Sequence, residues 1–200
     1  MVVPVPEHVL TGEPRRSVPP APSPGATVPP AALKALAVLR IATGVIFLWT
    51  FLDKWLGFSY STPSERAWSS GGSPASGYLS SVSVGPLEAT YHSWAGVAVV
   101  DWLYMAGMLG VGVALVAGIG LRVTAVAGPL MMFFLWLGEF PPARYLSDGS
   151  PSMSTNPLID QHVVYAAAMV VVAVCSAGRV WGLGGAWERL ALVRRHPWLR

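Results

Sequence analysis

Four of the ten acids in this chain, Asp53, Asp101, Glu139 and Asp160, stand at the edges of long apolar runs, with Lys54 and His162 beside them. Carboxylates close to one another and to lipid have raised pKa values, and an imidazole titrates near neutrality. Such a set can hold and release protons, which makes these six residues the candidate catalytic groups. It suits quinone chemistry, in which two electrons move with two protons. A quinone ring needs an apolar slot for its tail and a few donors for its carbonyls. Trp49, Trp55, Trp102, Phe134 and Trp136 lie in the same runs and could wall that slot. The competing reading is that the charges mark a water boundary, where they cost less than at a bilayer midplane. The tryptophans would then be ordinary interfacial aromatics.

Other chemistry has less to build on. One cysteine, Cys175, cannot form an internal disulfide, a CxxC pair or a zinc site. No haem, flavin, iron–sulfur or metal motif is present, so an electron source other than bound quinone must come from another protein.

The elements that would position these groups are hydrophobic helices. The 200 residues are 53% hydrophobic and 12% charged, against about 25% charged in a soluble domain. Mean hydropathy is +0.52. A polytopic membrane protein is expected, with the lipid bilayer as its first partner. Net charge is +3, but the basic residues flank apolar runs. They therefore point to membrane topology rather than to a nucleic-acid partner.

Residues 1–32 form a proline-rich leader, expected to be extended and solvated. Four spans are expected at about 33–54, 99–118, 123–139 and 158–178. Pro129 should kink the third. The start signal of the fourth is "TNP", with Thr155 or Asn156 as cap and Pro157 in the first turn. Residues 55–98 are too polar to span and should form short interfacial helices, for example Pro63–Trp68 after a cap-like Thr62. The tail should form another, with Trp181 and Trp187 as anchors, and 188–200 is its basic end. Gly107, Gly110 and Gly112 allow close helix packing in the second span.

Arginine and lysine are concentrated in the leader, the Arg122 turn and the tail. The positive-inside rule then puts both termini in the cytoplasm and both long loops outside, in a cell membrane. Short turns make neighbouring helices antiparallel, so the expected fold class is all-α, a polytopic membrane four-helix bundle.

That topology brings Asp53, Lys54, Asp101, Glu139, Asp160 and His162 to one outer level. Asp101 and Asp160 at helix N-termini offset the macrodipole, but Asp53 and Glu139 at C-termini need a partner: Lys54, His162 or Arg144. Asp160 and His162 are two apart and should not share a helix face. His162 pairs by spacing with Tyr165, and its ring should point to a neighbouring helix or the outer loop. Arg40 lies about two turns into the first span, where it would snorkel or find backbone carbonyls.

Several stretches together resemble the DoxX family of small four-span membrane proteins, which includes the DoxD-type large subunit of thiosulfate:quinone oxidoreductase. They are "LRIATGVIFLWTFLDKWLG" at 39–57, "AWSSGGSPASGYL" at 67–79, "VDWLYMAGMLGVGVALVAGIGLR" at 100–122 and "NPLIDQHVVYA" at 156–166. With the span spacing, the resemblance covers about 33–187. It implies a quinone-linked oxidoreductase subunit of a respiratory-type membrane complex, with a partner subunit. The positions matching the family's polar landmarks are Arg40, Asp53, Lys54, Asp101, Asn156, Asp160 and His162. Arg40 thereby joins Trp49, Trp55, Trp102 and Trp136 as a candidate cofactor contact. Thiosulfate as substrate rests on the resemblance alone. The alternative function is a non-catalytic assembly or scaffold subunit of a larger membrane redox complex, and a small transporter ranks below both.

Overall fold

The structure, a computed structural model, describes residues 29–199. Their regular structure is helical, apart from one isolated antiparallel bridge, Tyr145 to Pro151, in the second long loop. The leader as far as residue 28 lies outside the described part.

Among the described residues, three helices are long and apolar enough to cross a membrane. They are α1 (Pro30–Leu56), α4 (Ala98–Ala117) and α5 (Leu121–Glu139). Between α1 and α4 the chain forms two 3-10 turns, Ser64–Arg66 and Trp68–Ser70, and two short helices, α2 (Ser76–Ser81) and α3 (Glu88–Trp94). The expected short helices of this loop are therefore present. The first turn follows Pro63, and Thr62 makes no cap.

The fourth apolar helix, α6, runs Gln161–Val174, shorter at both ends than the expected 158–178. Its 14 residues rise about 21 Å, less than the ~30 Å of a hydrocarbon core. Both truncations have local causes. Asn156 accepts the amides of Leu158 (2.9 Å) and Ile159 (3.0 Å), which makes an Asx turn rather than a helix cap. The cap is Asp160, whose carboxylate accepts the amides of His162 and Val163. At the other end Ser176 turns left-handed (φ 51°). Beyond it lie a 3-10 turn, α7 (Gly184–Trp187) and α8 (Ala191–Arg195).

α1 packs on α4, α4 on α5, α5 on α6, and α6 back on α1. Small residues let them approach. A Cβ on Gly44 would meet Leu115 and Val116 of α4, and one on Gly112 would meet Leu48 of α1. Gly107 faces Met131 and Gly128 faces Met169, whereas Gly110 faces open space and packs against nothing. Helix α5 continues through Pro129 without a break in its assigned span. Phe47, Phe51, Met105, Met108, Leu115, Met132, Met169 and Val172 form the core between the four. Many large apolar side chains, such as Leu103, Val126 and Val174, face outward. That is the pattern of helices solvated by lipid tails rather than by water.

Candidate functional site

The alternating directions of the helices bring the end of α5 beside the start of α6. There Glu139, Asp160 and His162 meet. Their ligand atoms lie within 4.8 Å of one another, close enough to hold a metal ion. His162 Nδ1 is 2.8 Å from Asp160 Oδ2 and 3.9 Å from Glu139 Oε2. Gln161 donates to the same Glu139 oxygen at 3.4 Å.

The expectation that Asp160 and His162 point apart is corrected. Asp160 is the cap, outside the helix, so its carboxylate folds back over the first turn. One oxygen takes the amides of His162 (3.0 Å) and Val163 (3.2 Å), and the other faces the ring. With Nδ1 donating to Asp160, Nε2 is the nitrogen available to a ligand, and among the described residues nothing hydrogen-bonds it. Glu139, at a helix C-terminus, takes the Gln161 amide and faces the His162 ring at 3.9 Å, an ion pair only when the imidazole is protonated.

Two different spaces adjoin the cluster. A cleft of about 710 Å³ is lined by Glu139, Asp160 and Gln161 together with Tyr78, Ser81, Ser83, Ser154 and Asn156. A second, mostly apolar groove of about 310 Å³ lies between α5 and α6, lined by Pro129, Met132, Phe133, Trp136, Leu158 and His162. The cleft also has apolar walls, among them Val82, Met153 and Ile159, so the acids line the more polar of the two spaces and the imidazole lines the greasy one. Trp136 is fixed there by its indole N–H, which donates to Leu158 O at 3.0 Å, and by stacking on Phe133.

The first loop braces this end. Tyr78 and Tyr91 donate their hydroxyls to the carbonyls of Leu135 and Phe134 in the last turns of α5, each at 2.6 Å. Burial, and next the charge of Glu139, hold the Tyr78 phenol above its ordinary range. Ser147 ties the two loops together by donating to Glu88 at 2.6 Å. None of these partners was visible in the sequence, because each joins segments dozens of residues apart.

The other expected members are not brought into the cluster. Asp53 is buried and accepts the amides of Tyr60 (3.2 Å) and Ser61 (2.9 Å) and the Ser61 hydroxyl (2.7 Å). Its partners are thus loop donors, not Lys54, His162 or Arg144. Asp101, also buried, accepts the Ser73 hydroxyl and the Ala75 amide, both at 2.9 Å. Lys54 lies over the Tyr104 ring, 5.9 Å from its centre. Each acid clamps the first long loop onto a helix end.

The tryptophans divide similarly. Trp55 and Trp102 flank Trp68, which the loop inserts between them, at ring separations of 6.1 and 4.6 Å. Together with Phe51 and Met105 they line an apolar groove of about 340 Å³ between α1 and α4. Trp49 packs instead on Phe58 and Tyr60. Only Trp136 of the expected four lines the groove that holds His162.

Arg40 sits at the opposite, arginine-rich end and is fully buried. Its guanidinium donates to the carbonyls of Leu115, Val116 (2.9 Å), Val180 (3.2 Å) and Trp181 (3.0 Å). It thus caps the Leu115 and Val116 carbonyls at the C-terminus of α4 and ties the chain beyond α6 to them. The carbonyl reading of Arg40 matches this geometry; it has four backbone partners and no contact with either groove lined by the tryptophans.

No protein-family model matches the chain, and neither a curated protein nor a solved structure matches it.

Proposed function

We infer that this is an integral membrane subunit linked to quinone redox chemistry, working through Glu139, Asp160 and His162. The observation that carries the reading is the position of the imidazole: it lines an apolar groove, while the carboxylates bonded to or near it line a polar cleft. A quinol hydroxyl in the groove would donate a hydrogen bond to Nε2 of the imidazole, which takes its proton; the resulting imidazolium would donate to the quinone carbonyl. Protons leaving a quinol would pass to the carboxylates and on to water in the cleft. The tail would run along α5 and α6 past Pro129 and Ala166. Bilayer thickness is met at the fourth span if the apolar residues flanking α6, such as Leu158 and Ile159, lie within the hydrocarbon, which completes the four-helix bundle. The charge bias of the loops supports cytoplasmic termini.

The resemblance to the DoxX family supports the same reading. Thiosulfate fits this cleft poorly, because its charged lining residues are both acids and would repel a dianion. Electrons would therefore enter or leave through a partner subunit. A scaffold role draws support from Asp53 and Asp101, whose hydrogen bonds hold loops.

The test is to purify the full chain from its native membrane, extract and identify bound quinone, and assay quinone-linked electron transfer in reconstituted membranes. His162→Gln should lower that activity by about 10²-fold or more while the protein stays folded. A quinone-free preparation whose addition leaves quinone reduction unchanged would overturn the reading in favour of a scaffold.

A further inference from the structure

The tail after α6 carries Arg179, Arg189, Arg194, Arg195 and Arg200 against a single acid, Glu188. That acid is taken up by Arg179, whose Nη2 donates to it at 2.7 Å. Arg189, Arg194 and Arg195 are exposed and form no ion pair among the described residues. Interleaved with them are large apolar side chains that are also exposed: Trp181, Leu183, Leu190, Leu192 and Trp198. An unpartnered surface of this kind suits neither water alone nor a protein core.

Its position says what it meets. Leu183 N donates to Ala117 O at 2.7 Å, which stitches the tail to the last residue of α4. Arg122, in the first turn of α5, donates to Pro197 O at 2.9 Å, and Trp187 donates to Leu199 O at 2.6 Å. Val193 is fully buried beneath. The tail is therefore held at the ends of two helices long enough to cross the bilayer. That level is the headgroup region. Tryptophan and arginine belong there, the ring in the acyl boundary and the guanidinium among phosphates.

We propose that the segment 181–199 is a preformed binding surface for anionic phospholipid headgroups at the arginine-rich face of the membrane. The excess positive charge fits an anionic leaflet, and the exposed Trp and Leu side chains supply the apolar contact that a free phosphate would not use. The surface lies at the helix ends opposite Asp160 and His162, so it stands or falls independently of the quinone reading.

The full chain, delipidated in a neutral detergent, is titrated with phosphatidylglycerol, phosphatidylcholine or inorganic phosphate while thermal unfolding is followed. Phosphatidylglycerol should stabilise it at low salt and less so at 0.5 M salt. The other two should not. The triple variant Arg189→Gln, Arg194→Gln, Arg195→Gln should lose the preference. At roughly fivefold per basic residue, the loss is on the order of a hundredfold in apparent affinity. Amide exchange of 184–199 in the unmodified chain serves as a second measurement, and it should be slower in nanodiscs containing phosphatidylglycerol than in phosphatidylcholine alone. Equal stabilisation by phosphatidylcholine, stabilisation by inorganic phosphate alone, or exchange indifferent to the anionic lipid would each overturn the proposal.

Discussion

Arg40→Met gives the sharpest separation between a cofactor contact and a structural staple. Methionine keeps most of the buried volume but removes every donor. The Leu115 carbonyl retains the Gly118 amide at 3.2 Å. The carbonyls of Val116, Val180 and Trp181 lose the guanidinium. An acceptor left unsatisfied costs about 1–3 kcal/mol. Removing a buried charge recovers part of that, so a net loss near the low end, about 3 kcal/mol, is expected. For a chain of this size it corresponds to a fall of about 6–12 °C in Tm. Thermal unfolding in detergent measures the total. Amide exchange at 177–184 localises it, because that segment should open while the acidic end of α5 and α6 keeps its protection. If quinone copurifies as proposed, its amount per folded molecule should be unchanged. An unaltered Tm with lost quinone would refute the staple and return Arg40 to the cofactor site.

Asp53→Ala and Asp101→Ala should each cost about 2 kcal/mol through lost charged hydrogen bonds, and limited proteolysis should then cut the chain between residues 57 and 75. Tyr78 gives a pH dependence. Its phenol is held high in the folded state, so its contribution is complete below about pH 10, the unfolded value, and is lost as pH climbs towards the folded one. An alkaline unfolding series should show this decline, and Tyr78→Phe should flatten it. Gly118→Ala should destabilise by more than 1 kcal/mol, because its φ is 71° and the new Cβ would meet Arg40 and Gly178. Gly110→Ala, facing open space in mid-helix, should instead stabilise by about 0.5–1 kcal/mol in the same melts.

Residue type and order alone settled a good deal about this chain. Long apolar runs can satisfy their backbone in lipid only as helices, so α1, α4 and α5 were legible to within a few residues. The tight turn at Gly118–Gly120 was legible too, and so was the gathering of arginine at one end. A capping signal for α6 was also present: Asp160 stands directly before the apolar run, and only the attractive "TNP" before it hid the true start. Tertiary structure decided the rest, because a carboxylate at a helix end looks the same in sequence whatever it bonds. Asp53 and Asp101 found loop amides and serine hydroxyls, while Glu139 and Asp160 found His162. Ser73 and Ala75 reach Asp101, and His162 reaches Glu139, from more than twenty residues away, through loops whose paths depend on closing the whole set of helix contacts; Asp53 and Asp160 meet near neighbours, but through a turn and a cap that spacing alone did not reveal. The sequence placed the acids at one level; packing divided them into two that hold loops and two that stand beside an imidazole, between a polar cleft and an apolar groove.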